Sequence, residues 1–283
     1  EKQTGTVKTI FKSLGWKDLA ELEQVVDMQQ NVWKMPDRDL VPSNLLAIVE
    51  DTGGSIIGAY NEAQDLQGFV FTVGSIAGKL ILHMIAVEEN SRFKNDLGWN
   101  LSVLQAFEAL RKGVESIVWT YDPLRGSNAR LNLEKLGAIP YKFTVNKYGI
   151  VKSDLYGESP TDRFTVDWNV KNTQVQERLE RVENGQQPIT TLKDIIEVPV
   201  LNKVPSASGL PDNFAVEIPG DIDALSEEEK IKWRIQVREL FSVAMTTETV
   251  SGYVKGSKHP TKFATGLLPD GSRKSYYVFE SFS

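Results

Sequence analysis

Apolar and polar residues change rhythm several times along the first 150 positions, and each change predicts an element. VKTIFKSL (Val7–Leu14) reads as a short strand. In WKDLAELEQVVDMQQNVW, the spacing of Leu19, Leu22, Val26 and Trp33 puts them near one helical face. VPSNLLAIVED predicts a second, short helix with Ser43 as its N-cap. From Gly53 to Val87, turn-forming clusters at Asn61–Asp65 and Gly74–Gly78 separate three apolar stretches, the pattern of an antiparallel meander.

Leu97, Leu101, Leu104, Phe107 and Leu110 then form the stripe of an amphipathic helix. ESIVWTYDP reads as a buried strand stopped by Pro123, and SNARLNLEKLGA as a helix ended by Gly137. PYKFTVNKYG is a further strand. The order β-α-α-β-β-β-α-β-α-β predicts an α/β (α+β mixed) fold, a mixed sheet flanked by helices.

Beyond Trp168 the pattern weakens, which sets the expected division at 1–168 and 169–283. NVKNTQVQERLERVENGQQP is polar, and LNKVPSASGLPDN reads as a surface loop. LSEEEKIKWRIQVRELFSVAM predicts a helix with a Ser226/Glu229 capping box and an apolar packing stripe of Ile231, Ile235, Leu240 and Phe241. SGYVKG and RKSYYVFESF are expected to close the chain as paired strands.

Composition adds mainly exclusions. Hydrophobic residues make up 41% of the 283, enough to bury a sizeable core in one large domain or two smaller ones. A net charge of −6 speaks against nucleic acid as a partner but leaves a small anionic ligand open. With no cysteine and only His83 and His259, no metal site is expected. No apolar run reaches membrane-spanning length and no signal peptide is visible, so no membrane partner and a cytoplasmic location are the expectations. Self-association into a homo-oligomer stays open.

The stretch MIAV (Met84–Val87), the turn Phe93-Lys94-Asn95-Asp96-Leu97-Gly98 and the later SNARLNLEKLGA carry a resemblance. In this order they resemble the GNAT superfamily of acyl-CoA-dependent N-acyltransferases. There, an apolar-Ala-Val strand leads through an (Arg/Gln)-x-x-Gly-x-(Gly/Ala) turn into a helix. The likeness covers residues from about 7 to 150. A narrower one spans nearly the whole chain. WTYDPLRGSNARLNLEKLGA, NKYG (Asn146–Gly149), PTDRFTVDW (Pro160–Trp168), VEIPGD and WRIQVRELF resemble a poorly characterised GNAT-related family with a C-terminal extension.

The resemblance implies acetyl-CoA or another acyl-CoA as co-substrate and a small-molecule amine acceptor. Its pyrophosphate would lie on amides from Asn95 through Asp96, Leu97 and Gly98 to Trp99, after Ala86 and Val87, with charge from Arg92 or Lys94. Asn128 matches a residue near the pantetheine; the alternative is a helix N-cap. Two positions depart from the superfamily pattern: Phe93 replaces Arg/Gln and Asp96 replaces glycine. An inward carboxylate at Asp96 would repel the diphosphate, and an outward one would cap the helix.

Acyl transfer needs a base for the amine and an acid for the leaving thiolate. His83 matches the place of a base in serotonin N-acetyltransferase-like members; the alternative is a half-buried strand histidine. The superfamily's usual acid tyrosine falls on Leu133, so Tyr121 is the replacement candidate, with Asp122 as its orienter or an amine ligand. Asp122 is equally well a turn residue before proline. Glu88 and Glu89 could relay protons or simply be solvated. Arg163 could bind a substrate carboxylate or pair with Asp162 or Asp167. The altered turn and absent tyrosine also keep a second class open, a non-catalytic module with the same fold.

Overall fold

Six consecutive buried residues, Ser55–Tyr60, form a central strand in the computed structural model of the chain. The structure describes residues 8–74, 78–91, 96–149, 160–186, 190–195, 198–205, 209–246 and 257–281. They divide into two compact units inside one strand, between Val118 and Trp119, well before the boundary expected after Trp168.

In the first unit, β1 (Ile10–Leu14), β2 (Ser55–Tyr60), β3 (Leu66–Gly74) and β4 (Leu80–Val87) pair antiparallel in that order. β4 then pairs in parallel with β5 (Ser116–Tyr121) through Leu80↔Ile117 and Ile81↔Val118. A parallel pair needs a crossover, which the helix α3 (Leu97–Arg111) supplies. The expected order of elements holds.

β2 and β3 are apolar on both faces because a helix covers each side. Ile56, Phe69 and Phe71 pack with Leu22, Val25 and Met28 of α1 (Leu19–Trp33). Ile57, Ala59 and Val70 pack with Leu97 and Leu101 of α3. Burying one such side chain contributes about 1.5–3 kcal/mol. The strands also pack tightly at Gly68, where a Cβ would stand 2.8 Å from the Ala86 carbonyl oxygen.

Two details differ from the sequence expectation. Ser43 opens the short helix α2 (Ser43–Ala47) from inside; Pro42 holds the N-cap position. On α3, Phe107 is 64% exposed, and the buried row runs through Leu101, Gln105 and Ala109 instead. Gln105 can be buried because its amide exchanges hydrogen bonds with the Ser55 hydroxyl at 3.0 and 3.2 Å.

In the second unit, β5 ends and is followed by α4 (Gly126–Ala129), a π-helix over Arg130–Leu136, and a left-handed Gly137 at φ 64°. A π-helix replaces most of the expected α-helix, and two buried polar side chains anchor it. Asn132 accepts from the Trp119 indole at 3.0 Å, and Glu134 accepts from the Phe263 amide at 3.0 Å and from Thr190. β6 (Pro140–Thr144) pairs antiparallel with β7 (Arg163–Asn169). Within this unit β7 lies between the end of β5 and β6.

The remainder holds more structure than the sequence pattern revealed. A helix, α5 (Thr173–Glu183), is capped by Asn172 but buries only Val175 and Val182, too thin a stripe to stand out. β8 (Val200–Leu201) and β9 (Asn213–Ile218) join a four-stranded sheet ordered β10-β11-β9-β8. The closing hairpin pairs β10 (Lys258–Leu267) with β11 (Arg273–Ser281). SGYVKG, expected as its first strand, lies outside the described residues.

Helix α6 (Glu227–Ala244) starts with the expected reciprocal capping box. Of its expected packing stripe, Leu240 and Phe241 are fully buried, whereas Ile231 and Ile235 are exposed, Ile235 by 61%. Phe241 meets Phe164, Tyr277 and Phe143 in an aromatic core, with centroids 4.9, 5.9 and 5.5 Å away.

Candidate functional site

His83 owes its position to a break in the ladder. Thr72 pairs with Leu82 and Phe71 with Met84, so His83 is the additional residue of a β-bulge on β4. Without the bulge, strict alternation would decide which face it occupies; with it, the imidazole is exposed. Its ring stands edge-on to Phe71, centroids 5.4 Å apart. It makes no hydrogen bond to another described residue, and the protein packed around it lowers its pKa from 6.5. The last parallel pair between β4 and β5, Ile81↔Val118, lies two residues before it.

Downstream, Ala86 is buried and Val87 half-buried, paired to Phe69 and Gly68. The Glu88 amide donates to the Gln67 carbonyl at 2.9 Å, while its neighbour Glu89 is exposed. Arg92, Lys94 and Asn95 lie outside the described residues. Asp96 occupies the N-cap position of α3 in the left-handed conformation, φ 47°, and its side chain makes no capping bond. The expectation that it caps the helix is corrected: a left-handed residue turns its side chain away from the amides that a β-region N-cap serves. Leu97 is buried, and Gly98 and Trp99 are half-buried in the first helical turn. The Trp99 indole nitrogen is buried and finds no hydrogen-bond partner.

The second unit gives Tyr121 and Asp122 surroundings that the sequence did not reveal. Tyr121 is enclosed, its ring 5.7 Å from that of Phe164, and burial pushes its phenol far above the ordinary range. The nearby Tyr277 hydroxyl opposes that rise without cancelling it and donates instead to the Pro123 carbonyl at 2.8 Å, leaving the Tyr121 hydroxyl without a well-formed bond. Such a phenol is poorly suited to give up a proton.

Asp122 is chelated by the buried Arg234 of α6 at 3.1 and 2.8 Å and also accepts from the Leu124 amide at 3.0 Å. Burial pushes its carboxyl up, but Arg234, Arg163 and that amide outweigh burial and hold it below the usual range. The structure therefore corrects Asp122 from orienter of Tyr121 or amine ligand to one half of a buried ion pair. Asn128 is inside α4, past the N-cap residue Arg125, and its carbonyl accepts from Asn132 at 2.8 Å. Its expected N-cap role is thus not what the structure shows. Leu133 is buried.

The TDR segment forms a matching pair. Arg238, one helical turn beyond Arg234, chelates Asp162 at 2.9 and 3.0 Å. The i,i+4 arginines of WRIQVRELF mark one helical face in the sequence, but their partners could only be found in the fold. Among the described residues, no three His, Asp or Glu side chains converge as a metal site, and no helix is long and apolar enough to cross a membrane.

An antiparallel meander leading into a parallel β4–β5 pair is the expected architecture, and the bulge on β4 is an addition to it. The arrangement is the one that the sequence resemblance implies. Solved structures similar to this chain include a protein from Acinetobacter baylyi assigned as an acetyltransferase, at 18% identity over 61% of this chain and 97% of that one, TM-score 0.49. Another is the ribosomal-protein-S18-alanine N-acetyltransferase of Escherichia coli, at 14% identity over 59% and 96%, TM-score 0.47. A GNAT-family acetyltransferase of Streptococcus pneumoniae gives 15% identity over 56% and 98%, TM-score 0.46. No protein-family model and no curated protein matches the sequence. The functional reading therefore rests on the chain's own geometry.

Proposed function

We propose that the chain is an acyl-CoA-dependent N-acyltransferase acting on a small amine or amino-acid-like acceptor. The observation that carries this reading is His83, exposed on the bulge of β4, two residues past the last parallel pair with β5. A neutral imidazole there can take the proton of an acceptor amine, and its lowered pKa keeps it neutral at working pH. An amide that the bulge leaves out of the ladder is a suitable donor for a developing oxyanion.

The start of α3 fits the pyrophosphate of CoA. Its first-turn amides have no side-chain cap, and the orphaned Trp99 indole N–H lies in the same turn. When bound, acyl-CoA supplies the activated thioester. The amine nitrogen then forms a bond to the acyl carbon, the C–S bond breaks with its electron pair leaving on sulfur as the CoA thiolate, and His83 holds the amine proton until it passes to solvent or to that thiolate. Tyr121 is given no acid role because it is enclosed.

Calorimetry with acetyl-CoA and free CoA, followed by an amine panel, tests the proposal. Binding with turnover supports it. Binding without turnover favours a ligand-binding module, a reading supported by the enclosure of Tyr121 and the commitment of Asp122 to Arg234. No binding removes the co-substrate.

A further inference from the structure

Ser257 and His259 lie in the second unit, two positions apart, where β10 begins. Side chains at i and i+2 of an extended chain leave it on the same side. Lys258, between them, donates to other partners, Asp212 at 3.1 Å and Ser281 Oγ at 2.7 Å. The His259 imidazole is fully buried. Its Nδ1 is 3.1 Å from the carbonyl oxygen of Pro140, the first residue of β6, and its Nε2 is 2.6 Å from the Ser257 hydroxyl.

A backbone carbonyl can only accept, so the bond to Pro140 puts the ring proton on Nδ1. Nε2 then accepts, and the Ser257 hydroxyl donates to it. That polarity activates a hydroxyl: a nucleophile within reach of a base whose other nitrogen is oriented by a third group. The Pro140 carbonyl stands where a triad has a carboxylate. It fixes the tautomer but brings no full charge to stabilise an imidazolium, so a slow nucleophile is expected. Burial depresses the imidazole pKa, which keeps the ring neutral and able to accept a proton. Pro140 and His259 are enclosed, whereas Ser257 keeps 7% of its surface, so only a small reagent is expected to reach it.

We propose that Ser257 is a nucleophile activated by His259 and accepts a small acyl group from an activated ester. Its Oγ forms a bond to the acyl carbon, and the bond from that carbon to the leaving oxygen breaks with its electron pair on that oxygen. The Ser257 proton passes to His259 Nε2 and from there to the leaving group. Water, deprotonated by the same nitrogen, then releases the acyl group as a carboxylic acid and restores the hydroxyl. Neither residue takes part in the proposed transfer to an amine, so the two readings stand or fall separately.

Methanesulfonyl fluoride on the full chain, with the modified serine located by peptide mass spectrometry, tests it. In the folded protein Ser257 should be sulfonylated in preference to the other serines, and the preference should vanish in denaturant. His259→Gln, shown to be folded by its melting transition, should slow the reaction at Ser257 by about a hundredfold or more, the usual share of a positioned base. In the unaltered protein, p-nitrophenyl acetate should acetylate the same hydroxyl and protect it from the sulfonyl fluoride, a measurement that needs no variant. Failure of either reagent to modify Ser257 in the folded chain overturns the proposal. So does a reaction equally fast in denaturant or in folded His259→Gln, and the pair is then a structural hydrogen bond only.

Discussion

Arg234 and Asp122 are 112 positions apart in the chain and form a buried ion pair with two hydrogen bonds, at 3.1 and 2.8 Å. The pair ties the middle of α6 to the residue that follows β5. Removing one partner strands the other charge away from water. Arg234→Met or Asp122→Asn should therefore lower unfolding free energy by about 3–5 kcal/mol, and the double variant by less than the sum. Denaturant unfolding of the three variants measures this. Because the Asp122 carboxyl is held below its ordinary 3.8, its contribution is complete above that pH and is lost as pH falls through the lower folded value.

His83→Gln is expected to lower turnover on a verified acceptor by roughly two to four powers of ten while leaving CoA affinity nearly unchanged, since a general base acts on the amine. The acidic limb of kcat/KM should lie below pH 6.5, because packing around the imidazole depresses its pKa, and should vanish in the variant. A pH profile unaltered by the substitution would exclude His83 as the base.

Tyr121→Phe should leave turnover intact. It deletes a buried hydroxyl that makes no well-formed bond, so stability should hold or rise by about 1 kcal/mol. Steady-state kinetics and thermal melting together decide the point. A steep fall in turnover would return Tyr121 to the role of acid.

Asp96→Gly relieves a left-handed backbone at φ 47° and removes a negative charge from the start of α3. CoA should bind several-fold more tightly, with stability changed by less than about 1 kcal/mol. Equal affinity in calorimetry would mean that the carboxylate points away from the ligand.

His259 supplies a pH signature for the whole fold. It is fully buried; Nδ1 lies 3.1 Å from the Pro140 carbonyl and Nε2 2.6 Å from the Ser257 hydroxyl. Burial depresses its pKa from 6.5, and the Pro140 carbonyl offsets only part of that. The unfolded chain thus binds the proton more readily, so stability is full above pH 6.5 and declines as pH falls through the folded value. His259→Gln should flatten that decline in unfolding measured between pH 7 and pH 5.

The sequence by itself determined the features that depend on local rhythm. Apolar runs set off by turn clusters marked β2 and β3 as strands of a meander, and Gly137 marked the end of its helix. Ser226 with Glu229 specified the start of α6, because a capping box is complete within four residues. The order of elements followed from these, and with it the crossover that makes β4 and β5 parallel.

Tertiary structure decided whatever depends on a distant partner. The bulge that exposes His83 arises from one more residue on β4 than β3 can match, and neither strand records it alone. Tyr121 is enclosed because Phe164 and Tyr277 pack around it from β7 and β11. Asp122 is a structural anion because α6 brings Arg234 to it. Gln105 lies inside because Ser55 satisfies its amide, and Phe107, about 200° round the helix from it, falls on the outer face. Side-chain chemistry is written in the sequence, but burial and pairing set what each group can do, and these belong to the fold.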